Sequence, residues 1–277
     1  MQATTLALHS SPPVVLCLSG HDPTGGAGIQ ADIEAVRAMG AHPATLITAL
    51  TAQDSENVIG LYPQDPEALM AQGLLLLRDL NVAVIKIGLL GSQSIALKVA
   101  ELIDAAGPVP VVLDPVLAAG GGADLAGDRL LSVIRHEILP KVTWVTPNVP
   151  EARRLAGRTL LEECAERLMT WGVRHVMVTG THDEGASVIN RWYGPQGVTE
   201  WGWPRLPHEY HGSGCTLAAA LAAAIACGQG DAEAAYVAQS LTYGALKAAY
   251  PLGRGQWFPA RYGVSMDPRK GDDRGGC

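Results

Sequence analysis

Short apolar runs that alternate with longer amphipathic stretches are the feature that most constrains the fold of this chain. The first run, residues 14–18, ends at a glycine-rich loop that opens an amphipathic stretch over 29–39. The alternation continues with predicted strands at 44–50, 82–87, 109–113, 142–145 and 176–179, and predicted helices at 66–80, 94–106, 127–138, 149–156, 161–171, 216–226 and 231–249. Such alternation predicts an α/β fold with a mostly parallel sheet and helices on both faces.

Residues 186–203 depart from this pattern and have the shorter period of a hairpin. Gly194 and Gly197 are turn signals between its two halves. We therefore expect an antiparallel pair of strands near one edge of the sheet.

The chain contains neither a linker rich in Pro, Gly and Ser nor a repeat of fixed period. Doubly wound sheets often extend to about 250 residues as one unit, so a single domain is expected over 14–263. The flanking residues 1–13 and 264–277 are expected to be flexible termini. Residues 267–277 in particular are charged and glycine-rich and have no apolar face.

The charge balance limits the possible partners. The formal net charge is -7 and the sequence pI is about 5.6, with Lys and Arg scattered along the chain. This composition argues against nucleic acid and against an anionic membrane surface. An acidic protein that handles phosphate is expected to do so with backbone N–H groups and a metal ion.

The five cysteines are widely spread, without a CxxC pair or a Cys/His spacing suited to zinc. They are Cys17, Cys164, Cys215, Cys227 and Cys277. We interpret them as reduced thiols of a cytoplasmic protein. Residues 1–13 lack the features of a signal peptide, and no apolar run approaches the roughly 20 residues of a membrane span.

The segment from His211 to Thr216 reads HGSGCT and leads directly into an alanine-rich helical stretch. Glycines before a helix leave several backbone N–H groups pointing at one spot, where the helix dipole adds positive potential. The segment is thus a candidate anion hole, and Cys215 is a candidate base whose thiol pKa the same field is expected to lower. A glycine-rich turn that holds a small buried thiol is an equally good interpretation of the spacing.

A second glycine-rich loop, SGHDPTGGAG over residues 19–28, follows the first predicted strand. Ligands of open α/β sheets bind at the carboxyl ends of strands, so Asp22 is a candidate ligand of a polar small molecule. The loop is neither a GxGxxG fingerprint nor a P-loop, which argues against a dinucleotide site. An Asx-type turn or a helix cap is the structural alternative for Asp22, and spacing alone favours it.

Three acidic or amide side chains follow later strands. Asn148 and Glu151 lie within one turn of a predicted helix start, and Asp114 ends the strand before them. The oxygens of Asn148 and Glu151 suit Mg²⁺, which uses few protein ligands, and Asp114 adds another carboxylate to the same rim. The alternative for Asn148 and Glu151 is a capping box without a metal. Lys86 lies inside an apolar strand and is interpreted as an edge or pairing residue.

Taken together, these segments resemble the hydroxymethylpyrimidine and phosphomethylpyrimidine kinases of thiamine biosynthesis, a branch of the ribokinase-like superfamily. The resemblance covers about residues 14–249 and rests on several motifs in the same order. They are SGHDPTGGAGIQAD, ITALTAQD, KIGLLGS, VVLDPV, TPNVPEA and HGSGCTLAAA. It implies a three-layer α/β/α sandwich, phosphoryl transfer from ATP with Mg²⁺, a small pyrimidine substrate and a homodimer.

The resemblance also implies roles for individual residues. Asp22 and Gln53 are expected to hydrogen-bond the pyrimidine, while Gly20 and Leu89 line its pocket. The nucleotide side is expected to involve Asp114, Asn148 and Thr179, with Asn148 and Glu151 at the magnesium ion. Gly212, Ser213 and Gly214 would form the anion hole. Cys215 stands where most ribokinase-like enzymes have an aspartate base, and a cysteine there is characteristic of this branch.

The chain departs from the family pattern at three places. Thr179 stands where a phosphate-contacting lysine is common, the loop over 117–122 lacks another family lysine, and His208-Glu209-Tyr210 replaces the usual residues before the glycine segment. The missing lysines make a non-catalytic pyrimidine sensor one alternative. A pyridoxal or pyridoxine kinase of the same superfamily is another, because its substrate also carries a hydroxymethyl group on an aromatic nitrogen ring. A sugar kinase fits less well because Cys215 is not an acid, and an NAD-dependent dehydrogenase fits least.

Overall fold

The strands form one sheet in the computed structural model, which describes residues 11–118, 125–181 and 185–262. The nine strands of the described residues are β1 (Val14–His21), β2 (His42–Gln53), β3 (Val58–Pro63), β4 (Val82–Ile87), β5 (Val111–Leu113), β6 (Trp144–Val145), β7 (His175–Val178), β8 (Ser187–Gly194) and β9 (Gly197–Pro204). Their order is β3-β2-β1-β4-β5-β6-β7-β8-β9. The stretch from β2 to β7 in that order is parallel, and β3, β8 and β9 pair antiparallel at the edges. The prediction of a mostly parallel sheet is confirmed.

Helices cover both faces of the sheet. They are α1 (Gly28–Ala38), α2 (Pro66–Asp79), α3 (Gln93–Ala106), α4 (Asp128–Val133), α5 (Val149–Ala156), α6 (Leu161–Thr170), α7 (Ser213–Ala226) and α8 (Asp231–Lys247). One buried apolar cluster lies between the sheet and α2 to α6, and a second lies between the sheet and α1, α7 and α8. The three-layer α/β/α prediction is therefore confirmed. After α4 the chain makes a π turn over Ile134–Ile138 and a short 3₁₀ turn over Leu139–Lys141.

The central position of α7 follows from its sequence. Its residues are mostly alanine, and all those from Thr216 to Ala224 are buried. Small side chains allow the helix backbone to lie close to β1, β4 and β5 on one side and to α1 and α8 on the other. This packing brings the amino end of α7 to the carboxyl ends of the central strands.

The hairpin prediction is also confirmed, because β8 and β9 pair antiparallel from Ser187 with Pro204 to Gly194 with Gly197. The strand β3 was not predicted. It is the other edge of the sheet, and its short sequence includes Gly60 and Pro63, which mask strand periodicity.

Several predictions fall outside the described residues. They concern the loop glycines at 120–122, most of the amino-terminal segment 1–13 and the tail 264–277. Within the described residues, no helix has the length and apolar character needed to cross a membrane.

Candidate active site

The side chains predicted to act in chemistry converge at one rim of the sheet. They follow the carboxyl ends of β1, β4, β5, β6 and β7, and the amino end of α7 faces the same rim. In open α/β sheets this is where ligands bind.

The loop after β1 is organised by Asp22, whose side chain is only 1% exposed. Its Oδ1 accepts hydrogen bonds from the backbone N–H and the hydroxyl of Thr24, at 2.9 and 2.8 Å. Its Oδ2 accepts from the N–H of Ala27 at 2.7 Å and lies 2.9 Å from His211 Nε2. This is the Asx-turn arrangement that the spacing favoured, and the carboxylate is fully engaged within the protein. Its predicted bond to a pyrimidine stays a prediction.

The three other residues predicted to bind the substrate lie at the same end of the sheet. Leu89 is 9% exposed and covers Gly20 so closely that a Cβ on Gly20 would lie 2.8 Å from Leu89 Cδ2. Gln53 ends β2, and its Nε2 donates to Thr51 Oγ1 at 2.6 Å. Thr51 in turn donates to the carbonyl of His21 at 2.9 Å, which connects Gln53 to the loop after β1.

The amino end of α7 fits the predicted anion hole. Gly212 has a φ of +67° and precedes the first turn formed by Ser213, Gly214 and Cys215. The N–H groups in the first turn of any helix have no acceptor within the helix. In α7 no side chain caps them either, so they are available to a ligand. A Cβ on Gly212 would lie 2.1 Å from the carbonyl oxygen of Gly26, so only glycine allows the two loops to approach this closely.

The thiol of Cys215 lies between two parts of the rim. It lies near the carboxyl group of Asp114 on one side and the backbone N–H of Gly28 on the other. Removal from water, and then the negative charge of Asp114, raise the thiol pKa to about 12. The prediction that the helix field lowers this pKa is wrong, because these two effects outweigh the backbone donor and the nearby charge of Lys86.

Asp114 itself is 5% exposed, and its Oδ2 has no hydrogen-bond partner. Burial raises the pKa of this carboxyl group, while the positive charge of Lys86 acts in the opposite direction. Asp114 is thus an acceptor with a free oxygen beside the Cys215 thiol. A Cβ on Gly214 would lie 3.7 Å from Asp114 Oδ1, so the carboxylate also borders the first turn of α7.

Lys86 supports this region from inside the sheet. Its Nζ lies 2.7 Å from Asp32 Oδ1 and 3.1 Å from Ser19 Oγ, and the hydroxyl of Ser19 donates to Asp32 Oδ2 at 2.5 Å. All three side chains are fully buried. Burial alone would lower the Lys86 pKa, but the Asp32 carboxylate raises it, so the ammonium is retained. The interpretation as a pairing residue is confirmed. The edge alternative is wrong, because β4 lies between β1 and β5.

Asn148 and Glu151 form a capping box at the start of α5. Asn148 Oδ1 accepts from the Glu151 N–H at 2.9 Å, and Glu151 Oε2 accepts from the Asn148 N–H at 2.9 Å. Thr179 lies beside Asn148, where the two residues form an isolated parallel bridge after β6 and β7. Burial, and then the negative charge of Asp114, raise the Glu151 pKa to about 8.

The chemistry of this acidic pair fits a divalent cation. A cation would relieve the repulsion between Glu151 and Asp114, and the free Asp114 Oδ2 adds negative charge to the same space. Within the part of the chain that the structure describes, no three His, Cys, Asp or Glu side chains gather in an arrangement that could hold a metal ion. A magnesium ion that keeps several waters requires fewer protein ligands than that.

Two residues of the site were not singled out by sequence reasoning. Arg261 is 2% exposed and donates to Thr216 Oγ1 at 2.8 Å, to Glu34 at 3.0 Å and to the carbonyl of Gly26. It therefore joins α1, α7 and the loop after β1. Asp32 carried one available signal, since it lies one helical turn after Gly28 on the first amphipathic helix. Arg261 carried none, because its partners are remote in sequence.

Comparison with known proteins decides the family. Residues 22–259 match the family described as phosphomethylpyrimidine kinase. The chain belongs to the phosphomethylpyrimidine kinase family. A hydroxymethylpyrimidine/phosphomethylpyrimidine kinase from Streptomyces coelicolor is 37% identical over 254 residues, which cover 88% of this chain and 93% of that protein. The recognition made from the motifs is confirmed.

Solved structures confirm the fold of this phosphomethylpyrimidine kinase family member. A pyridoxal kinase from Staphylococcus aureus in complex with AMP-PCP aligns with a TM-score of 0.84 at 25% identity, over 91% of this chain and 94% of that one. A phosphomethylpyrimidine kinase from Clostridium difficile aligns with a TM-score of 0.72 at 26% identity, over 82% and 96%. The ribokinase-like sandwich is thus shared with both kinds of vitamin kinase.

Proposed function

We propose that this protein transfers the γ-phosphoryl group of ATP to 4-amino-5-hydroxymethyl-2-methylpyrimidine, to its monophosphate, or to both, in thiamine biosynthesis. Membership in the phosphomethylpyrimidine kinase family supports the reaction class. The observation that carries the proposal is the uncapped amino end of α7, which presents Cys215 next to Asp114 at the ligand-binding rim.

The nucleotide phosphates would lie between the first turn of α7 and the strand ends at Asp114, Asn148 and Thr179. The helix dipole and the N–H groups of Ser213 and Gly214 stabilise negative charge there, as a transferring phosphoryl group requires. Asn148 and Glu151 would hold Mg²⁺, which neutralises phosphate charge when it is bound. The AMP-PCP complex of the structurally similar pyridoxal kinase supports nucleotide binding by this fold.

Cys215 would serve the hydroxymethyl substrate as the first proton acceptor. Its own thiol is protonated at neutral pH because its pKa is about 12. The thiol proton therefore moves to the neighbouring Asp114 carboxylate as the sulfur takes the proton of the attacking hydroxyl, so that the net transfer is one proton from the hydroxyl to Asp114. A phosphomonoester has a second pKa of about 6 and arrives deprotonated, so the second phosphorylation requires no such base.

The pyrimidine would bind against Gly20 and Leu89, with the amide of Gln53 as its polar contact. The full set of internal hydrogen bonds at Asp22 supports a role for this carboxylate in shaping the pocket rather than in direct contact. A bound pyrimidine that meets Asp22 would have to displace Thr24 or His211 from it.

We also infer a homodimer and a cytoplasmic location. The edge strand β3 and its neighbour β2 expose the apolar side chains Ile59, Tyr62 and Leu50, at 87%, 59% and 41%. Such a patch on an edge strand suits a second copy of the chain. Light scattering of the wild type and of Ile59→Glu tests the dimer. Cys17, Cys164, Cys215 and Cys227 are all free thiols, which supports a reducing compartment.

Pyridoxal kinase activity is the second candidate, because the S. aureus pyridoxal kinase superposes with a higher TM-score than the C. difficile phosphomethylpyrimidine kinase. Purified protein with Mg²⁺ and ATP is to be offered hydroxymethylpyrimidine, its monophosphate and pyridoxal side by side, and ADP formation is to be measured. ADP formed with either pyrimidine in clear excess over pyridoxal supports the proposal. Faster ADP formation with pyridoxal would identify the protein as a pyridoxal kinase. Pyrimidine binding without any ADP formation would indicate a sensor.

A further inference from the structure

His211 makes side-chain contacts with two distant segments. Its Nε2 lies 2.9 Å from Asp22 Oδ2, in the loop after β1. Its Nδ1 lies 3.0 Å from Gln256 Oε1, in the C-terminal loop formed by residues 250–258. The ring is therefore held from both sides, and the next residue, Gly212, begins the turn that leads into α7.

The C-terminal loop is fixed at its own ends and at its middle. Tyr250 and Phe258 exchange backbone hydrogen bonds at 3.1 and 2.9 Å, which close the loop. Gln256 N–H donates to the carbonyl of Ser55 at 2.9 Å, and Gly255 N–H donates to Ser55 Oγ at 3.1 Å. Ser55 lies just after Gln53, so the loop reaches the predicted substrate side of the rim.

Backbone contacts bring the same segments together around the histidine. The N–H of His211 donates to the carbonyl of Trp257 at 2.9 Å. A Cβ on Gly26 would lie 2.2 Å from His211 Cδ2 and 2.8 Å from Phe258 Cε1, so the loop after β1 also lies against the ring. His211 thus touches both the loop after β1 and the C-terminal loop.

We propose that His211 is a positioning residue. By bridging Asp22 and Gln256, it fixes the anion-hole turn of α7 relative to the predicted pyrimidine pocket. The proposal rests on the proposed kinase function. His211 does not contact the reacting atoms in this role. It acts through Gly212 on the turn that carries Cys215, and through Gln256 on the loop that borders Gln53.

The proposal predicts a particular kinetic signature. A displacement of about 1 Å in a catalytic group can reduce a rate about 100-fold while substrates still bind. Loss of the bridge should therefore lower kcat and leave the KM for ATP nearly unchanged, because the turn stabilises the transition state more than the ground state. If His211 were needed only for stability, its loss would lower the melting temperature without lowering kcat selectively.

Three variants separate the two bonds of the histidine. In His211→Gln the side-chain amide reaches the position of Nε2, so the contact with Asp22 is kept and that with Gln256 is lost. In His211→Asn the amide reaches the position of Nδ1, so the contact with Gln256 is kept and that with Asp22 is lost. His211→Leu removes both. His136→Gln is the matched control, since His136 is exposed and bonds within its own turn, to the carbonyl of Ser132 at 2.8 Å.

We expect His211→Leu to lose about 100-fold in kcat for the pyrimidine substrate, with the KM for ATP within about twofold of the wild type. The Asn variant should lose more than about tenfold and the Gln variant about fivefold, because a hydrogen bond to a carboxylate is worth more than one to an amide. The control should match the wild type. A wild-type kcat in all three His211 variants would overturn the proposal. So would changes that are confined to KM and the melting temperature.

Hydrogen exchange on the unliganded protein gives a readout that does not depend on activity. The amide of Trp257, which donates to the carbonyl of Glu209 at 2.8 Å, should exchange about fivefold faster in His211→Gln, whereas His211→Asn retains protection. Equal protection in both variants would contradict the bridge even if the enzyme proved to act on another substrate. If His211→Leu does not fold, the comparison of the Gln and Asn variants decides alone.

Discussion

Lys86 Nζ lies 2.7 Å from Asp32 Oδ1, and both side chains are completely excluded from solvent. The pair joins β4 to α1 beside Gly88, where an added Cβ would lie 2.8 Å from the ammonium. Two opposite charges inside a core are stable only as a pair, because each alone would be left in a medium of low dielectric constant. The pair therefore fixes α1, which begins at Gly28 near the Cys215 thiol.

Lys86→Met should lower the free energy of unfolding by about 3–5 kcal/mol, because it leaves Asp32 charged and unpaired in the core. The double variant Lys86→Met/Asp32→Leu should recover most of this loss, since it removes both charges. Urea unfolding of the wild type and both variants measures the difference. A loss below about 1 kcal/mol in the single variant would show that the pair behaves like a surface ion pair.

Alkylation of Cys215 by iodoacetamide should be slow at pH 8 and should rise about tenfold per pH unit, because a raised pKa leaves little thiolate below it. Asp114→Asn removes the neighbouring negative charge and should lower the thiol pKa, so that alkylation at pH 8 becomes at least about tenfold faster. Peptide mass spectrometry measures the rate, with the exposed Cys227 as an internal control. An unchanged rate at Cys215 would mean that Asp114 does not govern this thiol.

Gly212→Ala should abolish most activity, since its φ of +67° disfavours a side chain and the new Cβ would collide with Gly26. Gly25→Ala is the matched control, because Gly25 also has a positive φ, of +81°, but a Cβ there would have open space for 4 Å around it. The control should cost about 1–2 kcal/mol of stability and retain kcat. Similar kcat losses in both variants would attribute the effect to backbone strain rather than to the anion-hole turn.

Cys215→Ala should slow phosphorylation of the hydroxymethyl compound more than phosphorylation of its monophosphate. The free hydroxyl must lose a proton as it attacks ATP, whereas the phosphomonoester is already ionised at neutral pH. A general base contributes roughly 10²–10⁴-fold, so the first step should fall by at least about 100-fold. Equal slowing of both steps, measured by product mass, would contradict the assignment of Cys215 as the base.

Much of the fold followed from local sequence. The helix at 149–156 was predicted with the bounds that the structure gives, because Asn148, Pro150 and Glu151 mark its start and Gly157, with a φ of +62°, ends it. The edge strand β3 was missed, since Gly60 and Pro63 interrupt its pattern and its pairing with β2 depends on tertiary contact.

The site was predictable in position but not in electrostatics. Motif order placed Cys215 and Asp114 at one rim, yet the thiol pKa depends on burial and on a carboxylate remote in sequence. Lys86 looked like an exception within an apolar strand because its partner Asp32 lies on another element. The role of Arg261 could not be predicted from the sequence either, because its partners are remote in sequence and come close only in the folded protein.

The most direct test of the central claim uses ATP that carries ¹⁸O in its γ-phosphoryl group. The purified protein is incubated with Mg²⁺, labelled ATP and each pyrimidine in turn, and the products are weighed by mass spectrometry. The account predicts a pyrimidine product that carries the labelled phosphoryl group, together with one equivalent of ADP. Label that appears only in inorganic phosphate, or no product with either pyrimidine, would contradict the account.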